Sequence, residues 1–572
     1  MKGLRIAAAV LLILAGLLIP AGSWSSQLAG HDSARHAQLV TGFWIFKILL
    51  VIHGLLLLLA PRLLQVANRR SPGNNAGSFS PPLRHEATIL LAVLVAALGL
   101  RMYGLDQGLW YDEIQTLVDY VRLPLGRLLT TYDSQNQHLL YSLLARISIS
   151  GLGESAIALR LPAALLGIAS LVALYYLAIR VTSRREALLA TALLAFSYHH
   201  VWFSQNARGY TGLMFWTILG TLFFFRLLEG ERTGWVLLGY GLSMSLAVYT
   251  HLTAGIVVAT HVIVWLVRVA GRRNMTNADP ADWWFPLAGL GLAGSVTLLL
   301  YGPVLPQLKA TVLHPPGSGT VTTEWQNPLW LLAEAASGLE RGLPGGWLTV
   351  AGGAIVCALG FVSYWRRNRL LVLLMTLPVV LTAAAVVAMR HNLWPRFFFF
   401  AAGFAALLVL RGIFDLASRL AGSRGERLAT VVVVLVIALS GWTVRRAWVA
   451  KQDYAGARAF VTSHAGPSDA IAVTDLTTYP LQRYYGERWP AVSSAEELQA
   501  LERSHPTVWI LYTFPVRLQA VSQDLWARIT REYQNAASFP GSVAGGAIIV
   551  MRRNSRAVSS PPSTPTSAPI RQ

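Results

Sequence analysis

The sequence has a single cysteine, Cys357, among its 572 residues. One thiol excludes an intrachain disulfide framework and a metal site built from several cysteines. Charged residues are also scarce: they make up 13% of the chain, whereas about a quarter of an ordinary soluble protein is charged. The chain is therefore not a typical soluble domain with a charged surface.

Acidic residues are fewer than basic ones, 27 against 47, so that the formal net charge is +20. In a soluble protein this excess would indicate a nucleic-acid partner. Here the arginines collect in short loops between apolar runs, which is typical of the cytoplasmic loops of membrane proteins. We therefore expect membrane lipids as partners and no nucleic acid.

Apolar residues are abundant: 54% of the chain is hydrophobic and the mean hydropathy is +0.48. At ~17–25 residues per crossing, the runs predict an α-helical polytopic membrane protein with about thirteen transmembrane helices. The first run could instead be a cleaved signal peptide, because "LIPAGSWSS" ends it with small residues. The thirteen runs lie at 6–20, 41–61, 87–105, 156–179, 186–203, 209–228, 234–251, 253–268, 284–303, 346–364, 370–389, 396–414 and 428–446.

The chain returns to ordinary polarity after the last run. There "DAIAVTDL" and "TVWILYTF" predict short buried strands, and "DYAGARAFVTSHAG" and "AEELQALERS" predict helices, an alternation typical of a small α/β domain. The last residues are rich in Ser, Thr and Pro and are expected to be disordered. The predicted domains are a two-helix membrane extension with a linker (1–86), a transmembrane domain (87–446), an α/β domain (447–553) and a tail (554–572).

The arginine-rich loops orient the predicted bundle. With the N-terminus inside, nearly every loop with two or more arginines is cytoplasmic, as the positive-inside rule requires. The loops at 106–155 and 304–345 then lie outside, and an odd number of spans puts the α/β domain outside as well. The polar helix ends considered next all fall on the outer side.

The stretch "GLWYDEIQTLVDY" follows an apolar run and places Asp112 and Glu113 side by side. Trp110 and Tyr111 before them are typical of side chains that anchor at the lipid headgroups. A carboxylate held there could take a proton from an acceptor hydroxyl as a general base. The alternative is an ordinary solvated helix end.

Other polar side chains at the same face could bind a substrate. A guanidinium fork suits a phosphate, although an arginine at a membrane edge can also snorkel to the interface, and a single histidine is often structural. His251 could orient a sugar, and Phe397 to Phe400 could pack a prenyl chain or simply face lipid. The candidates are His138 in "NQHLLY", Gln205, Arg208 and Tyr210 in "FSQNARGYT", His251 in "YTH", and Arg396, with Arg390 nearby, in "MRHNLWPRFFFF".

The order of these motifs resembles the bacterial family 39 glycosyltransferases of the GT-C superfamily, which includes the protein O-mannosyltransferases and the aminoarabinose transferases of lipid A. The resemblance covers residues 87–415, and the segment that begins at Asp453 resembles the extracytoplasmic tail domain of many such proteins. The motifs are Trp-Tyr-Asp-Glu at 110–113, Asn-x-His-Leu-Leu-Tyr at 136–141, Arg-Leu-Pro-Ala at 160–163, Ser-Gln-Asn-Ala-Arg-Gly-Tyr at 204–210 and Tyr-Thr-His at 249–251.

The resemblance implies transfer of a sugar from a polyprenyl-phosphate carrier to an envelope glycan, lipid or protein, at the outer face of the bacterial plasma membrane. It implies that Asp112 is the catalytic base with Glu113 beside it, and that His138, Gln205, Arg208 and Tyr210 line the cavity. One departure matters, because many relatives carry Glu where this chain has Asn206.

Two other classes of function fit a polytopic chain. A transporter or flippase should hold ionisable side chains near the bilayer midplane, whereas the polar residues here gather at one edge. A scaffold for envelope polymers would not need the acidic pair. No metal-ligand cluster is evident in the sequence, so the expectation is that no cofactor is required, with a divalent cation at the acidic pair left open.

Overall fold

The computed structural model of the chain describes residues 2–68, 83–272, 281–313, 325, 327–389, 392 and 394–554. The predicted tail lies outside these residues, apart from Asn554. The described residues form two compact units. The first, the membrane unit, takes the described residues of Met1–Asp106, Asp119–Gly319 and Thr323–Trp448; the second takes those of Gln107–Val118 and Val449–Gln572.

Helices form where the apolar runs lie, and further helices build the second unit. They are α1 (Lys2–Leu18), α2 (Ala21–Ala29), α3 (Ser33–Asn68), α4 (Arg84–Met102), α5 (Tyr111–Gln115), α6 (Leu125–Leu129), α7 (Leu139–Leu152), α8 (Ala156–Val181), α9 (Arg184–Ala195), α10 (Tyr198–Ser204), α11 (Tyr210–Leu228), α12 (Gly234–Thr250), α13 (Ala254–Arg272), α14 (Ala281–Tyr301), α15 (Leu305–Leu313), α16 (Pro328–Gly342), α17 (Gly346–Arg367), α18 (Arg369–Ala388), α19 (Ala402–Ala421), α20 (Gly425–Thr443), α21 (Tyr454–His464), α22 (Ala495–Ser504), α23 (Pro515–Val521) and α24 (Gln523–Glu532).

Nine helical segments of the described residues are long and apolar enough to cross a membrane, or ten if the bent pair α1 and α2 is one span. The predicted class of polytopic helical membrane protein is confirmed. These segments are fewer than the thirteen apolar runs because some runs form short helices and others are joined in one stretch. The run at 186–203 is broken into α9 and α10, and α12 has only 17 residues. Helices α19 and α20 lie in one helical stretch of 54 residues, Pro395–Trp448.

The two ends of the membrane unit carry different polar groups. Buried carboxylates gather at the end where α4 and α9 begin and where α8 and α11 finish, and each is paired with an arginine, as buried charges require. The loops that carry the predicted site residues of this unit lie at the opposite helix ends. The ion pairs of these buried carboxylates include Arg184–Glu86 at 2.8 Å, Arg411–Glu186 at 3.1 Å and Arg226–Glu231 at 2.6 Å.

Helices α17 and α19 cross with their backbones in contact. A Cβ atom added to Gly360 would overlap the carbonyl oxygen of Leu408, and one added to Gly412 would overlap that of Val356. Small residues at such a crossing allow two membrane helices to approach closely. The two glycines therefore fix how close these helices come.

The second unit contains a four-stranded mixed sheet in the order β1-β2-β4-β3. Strands β1 and β2 are parallel, and β4 pairs antiparallel with both β2 and β3. The two strands and two helices predicted from the sequence are confirmed as β1, β2, α21 and α22, whereas β3, β4, α23 and α24 were not predicted. The strands are β1 (Ala470–Val473), β2 (Thr507–Tyr512), β3 (Gln534–Phe539) and β4 (Ile548–Asn554).

We expect Gly412→Ala to destabilise the protein, because the added methyl group must push α17 and α19 apart. Overpacking of this kind costs about 1–3 kcal/mol. The measurement is the midpoint of thermal unfolding in detergent. Gly353→Ala is the matched control, since it adds the same methyl group to α17 at a position with no atom within 4 Å. Equal midpoints for the two variants would contradict the close crossing.

Candidate active site

The connection between α10 and α11 is buried, although loops normally run over the surface. Every residue from Phe203 to Tyr210 is buried. The side-chain amide of Gln205 donates to the backbone oxygens of Arg101 at 3.0 Å and Tyr103 at 2.6 Å. These carbonyls end α4, where helix oxygens lack partners within the helix. Gln205 thus has a structural role here, and its predicted contact with a substrate stays a prediction.

His138 comes directly before α7 and meets this buried loop. The backbone N–H of Gly209 donates to its Nδ1 at 2.8 Å. A neutral imidazole with Nδ1 as acceptor carries its proton on Nε2. The Nη2 atom of Arg208 lies 3.3 Å from that Nε2. Two hydrogen-bond donors therefore stand next to each other, an arrangement that favours a shared acceptor such as an anion.

Aromatic rings and a second arginine surround this pair. The ring centroid of His138 lies 4.7 Å from that of His251 and 5.6 Å from that of Tyr210. The guanidinium of Arg208 lies 5.9 Å from the Tyr210 ring, within the range of a cation–π contact. Arg396 is close enough for its charge to act on His138. We call His138, Arg208, Tyr210, His251 and Arg396 the basic cluster; the structure brings these five predicted residues together.

The cluster holds His138 in its neutral form. Burial lowers the pKa of His138 well below its ordinary value of 6.5, and electrostatic interactions with Arg208, His251 and Arg396 lower it further. A neutral ring agrees with the hydrogen bond that its Nδ1 accepts. The arginines therefore supply the positive charge of the cluster, while His138 supplies a donor.

Two neighbours of the cluster were not predicted as binding residues. Gly209 has no room for a side chain, because a Cβ atom would lie 2.9 Å from His138 Nδ1 and 2.8 Å from a methyl group of Thr250. Gln137 accepts a hydrogen bond from Ser142 at 2.7 Å. Its buried Nε2 atom makes no hydrogen bond within the part of the chain that the structure describes.

The acidic pair belongs to the second unit, and its two carboxylates differ. Glu113 is fully buried, and its Oε2 accepts the backbone N–H of Trp110 at 3.4 Å. This is the position from which a glutamate caps the start of its own helix. Asp112 is only partly buried. Glu113 therefore supports α5, and Asp112 is the more exposed of the two carboxylates.

A buried arginine network was missed by the sequence reasoning. Arg101 is fully buried, and its Nη2 lies 2.6 Å from His200 Nδ1 while its Nε donates to Ser204 at 3.2 Å. His200 Nε2 in turn lies 2.9 Å from the Ser170 hydroxyl. In the sequence Arg101 ends an apolar run, the usual place for an arginine that snorkels to the interface, so no local signal distinguished it.

The phenylalanines that follow Arg396 differ in part from what the sequence predicted. Phe399 and Phe400 are buried, and the Phe399 ring stacks on Phe203 at 4.1 Å. These two rings pack inside the membrane unit and do not face lipid. Arg390 lies outside the described residues.

Among the residues that the structure does describe, no group of three or more His, Cys, Asp or Glu side chains is arranged to hold a metal ion.

Residues 137–301 match the family described as dolichyl-phosphate-mannose-protein mannosyltransferase. The predicted family resemblance is confirmed. The predicted class of activity, a membrane glycosyltransferase that takes its sugar from a polyprenyl-phosphate carrier, is confirmed with it. The matched segment contains four of the five residues of the basic cluster; Asp112 and Arg396 lie outside it. No curated protein matches the chain.

Several solved structures resemble the fold at low identity. ArnT from Cupriavidus metallidurans bound to undecaprenyl phosphate is 14% identical with a TM-score of 0.45, over 83% of this chain and 100% of that one. The oligosaccharyltransferase from Archaeoglobus fulgidus is 11% identical with a TM-score of 0.48, over 83% and 75%. The S. cerevisiae protein O-mannosyltransferase complex is 16% identical with a TM-score of 0.33, over 43% and 37%. Likenesses this low transfer no substrate and no residue role.

We expect His138 to make the protein less stable in acid. Because its pKa is lowered in the folded protein, the unfolded chain binds the proton more readily, and stability is lost as pH falls below about 6.5. His138→Gln keeps an acceptor for Gly209 but cannot titrate. It should therefore remove up to about 1.4 kcal/mol of this loss per pH unit.

The measurement is the thermal midpoint in detergent between neutral pH and pH about 5, the range in which a histidine titrates. His31→Gln, at an exposed position, is the control and should keep the pH dependence of the wild type. A His138→Gln protein with the same dependence as the wild type would contradict a neutral, buried His138.

Proposed function

We propose that the basic cluster holds the phosphate of a polyprenyl-phosphate sugar while the sugar is transferred to an acceptor hydroxyl. The observation that carries this proposal is the pair formed by Arg208 Nη2 and His138 Nε2 at 3.3 Å. The other ring nitrogen of His138 is committed to Gly209. A phosphate oxygen between the two donors accepts a hydrogen bond from each of them.

The chemistry of the transfer requires such a site. The acceptor oxygen bonds to the anomeric carbon as the bond from that carbon to the phosphate oxygen breaks, so negative charge grows on the departing phosphate. Donors fixed in advance around that charge stabilise the transition state. Their effect is larger in a buried site, where water screens the charges less. Arg208 and Arg396 supply the positive charge there.

Asp112 is our candidate for the base that takes the proton from the acceptor hydroxyl. Two observations support this assignment. Asp112 is the partly exposed member of the acidic pair, whereas Glu113 is buried and caps its own helix. The motif Trp-Tyr-Asp-Glu also matches the family pattern in which this aspartate is the base.

The reaction is proposed to take place at the outer face of a bacterial plasma membrane, with an envelope glycan, lipid or protein as the acceptor. The support comes from charge. The arginines that end α17 and begin α18 and α9 lie at the end of the membrane unit opposite the basic cluster. The positive-inside rule assigns that end to the cytoplasm, and the cluster then lies on the outer side.

We expect Arg208→Gln to lower kcat/KM for the polyprenyl-phosphate sugar by about 10- to 100-fold, the loss of a charge-assisted hydrogen bond. Arg208→Lys should lie between this variant and the wild type, because lysine keeps the charge but not the fork. The assay follows radiolabelled sugar from the lipid to the acceptor fraction.

Arg122→Gln is the control for the arginine variants, since Arg122 sits in an exposed pair with Glu154 in the same unit. It should transfer sugar at the wild-type rate. If Arg208→Gln keeps the wild-type kcat/KM, the phosphate assignment is rejected. Movement of the labelled lipid across a vesicle membrane without any transfer would favour a flippase instead.

We expect Asp112→Asn to lower kcat by about 10²- to 10⁴-fold, the usual contribution of a general base, while binding of the donor lipid is unchanged. Asp106→Asn, which neutralises an exposed carboxylate in the same stretch, should be close to the wild type. Normal transfer by Asp112→Asn would remove the base assignment. If Glu113→Gln alone loses sugar transfer, the base is Glu113 and not Asp112.

A further inference from the structure

The helix that carries Asp112 is too short to be stable by itself. Helix α5 has five residues, Tyr111–Gln115, and continues into the π-helical turn Thr116–Val121. An isolated helix needs roughly 12–15 residues before it is even marginally stable in water. Contacts from elsewhere in the chain must therefore hold α5.

The start of α5 lacks an ordinary cap. The first N–H groups of a helix have no partners within it, and a Ser, Thr, Asp or Asn side chain usually accepts one of them. Here the residue at that position is Trp110, whose side chain has no acceptor. Glu113 accepts the N–H of Trp110, and the next N–H, from Tyr111, donates to Oε1 of Gln452 at 3.2 Å. Gln452 is 341 residues away in the chain.

Gln452 is itself held by the sheet of the second unit. It is fully buried. Its Nε2 atom lies 3.3 Å from the Thr513 hydroxyl and 3.3 Å from the carbonyl oxygen of Gly546. Thr513 directly follows β2, and Gly546 comes shortly before β4. One side-chain amide therefore joins α5 to the end of β2, and the ring of Tyr111 adds a contact with Tyr479 at 6.0 Å.

The backbone is constrained just after β1 and just after β2, close to the residues that bind Gln452. Asp475 follows β1 with φ 46° and Phe514 follows β2 with φ 48°; within the described ranges these are the non-glycine residues with positive φ. Such strained backbone persists only where its surroundings determine it strongly, and it clusters at functional sites. Arg517 links the two turns, because its Nε lies 2.8 Å from the Asp475 carboxylate and its N–H donates to Phe514.

We propose that Gln452 is a positioning residue for the transfer reaction: it caps α5 from the far end of the chain and thereby fixes the carboxylate of Asp112. This inference rests on the proposed role of Asp112 as the base. Gln452 does not touch the substrate. Its loss should leave binding of the donor lipid intact and slow the chemical step, since small misplacements of a catalytic group reduce the rate strongly.

The test compares Gln452→Ala with Gln482→Ala in the full-length protein. Gln482 also donates its side-chain amide to a backbone oxygen of this unit, that of Trp489 at 2.8 Å, but its side chain does not cap α5. We expect Gln452→Ala to lose roughly 10- to 100-fold in kcat with an unchanged KM for the polyprenyl-phosphate donor. Gln482→Ala should keep both values.

Amide hydrogen exchange gives a second measurement that needs no activity. In Gln452→Ala the amides of 111–116 should exchange on the order of five- to tenfold faster, the effect of a lost helix cap. The amides of β1 and β2 should not change. Faster exchange throughout the second unit, or variants that behave alike at both glutamines, would overturn the proposal.

The two assignments can fail separately. If Asp112→Asn transfers sugar normally, the base assignment is wrong, and the exchange result still shows whether Gln452 caps α5. If Asp112→Asn is inactive while Gln452→Ala has the wild-type kcat, Asp112 keeps its role and Gln452 loses its own.

Discussion

The hydrogen bond from Gly209 N–H to His138 Nδ1 determines the character of the basic cluster. It requires a neutral ring, so the remaining proton sits on Nε2 beside Arg208. It also requires a glycine, because a Cβ atom would crowd the ring. The placement of the donor at Nε2 beside Arg208 follows from this one contact, while burial and the nearby arginines keep the pKa of His138 low.

The hydrogen bond between Gly209 and His138 forms because the polar loop between α10 and α11 is buried. The loop can be buried because protein hydrogen-bond partners replace the water that its polar groups lose. Arg101 both donates and accepts hydrogen bonds with the loop: its side chain donates to Ser204, and Gln205 donates to its carbonyl oxygen. Burying such groups without partners would cost several kcal/mol. The network missed in the sequence therefore supports the cluster that was predicted.

Local patterns in the sequence predicted the helices and the sorting of charge between the helix ends, because each depends on side chains close in the chain. The residues of the basic cluster come from separated segments and were proposed from the order of the motifs and from the predicted topology. The sequence does not show how each run divides into helices, since an apolar run does not reveal a break such as that between α9 and α10. Gln205 was expected at the substrate because its motif does not show the two carbonyls of α4. Nothing near Trp110 or Gln452 in the sequence indicates that the two segments meet, since no periodicity records a contact across 341 residues.

This separation along the chain has a consequence for biosynthesis. Ribosomes add about 5–20 residues per second, so Gln452 is made roughly 20–70 s after Tyr111. For that interval the start of α5 lacks its distant cap, even though many of the membrane helices have already been synthesised. The carboxylate of Asp112, next to Tyr111, therefore reaches its final position only after Gln452 has been synthesised. A shorter nascent chain contains α5 without this cap.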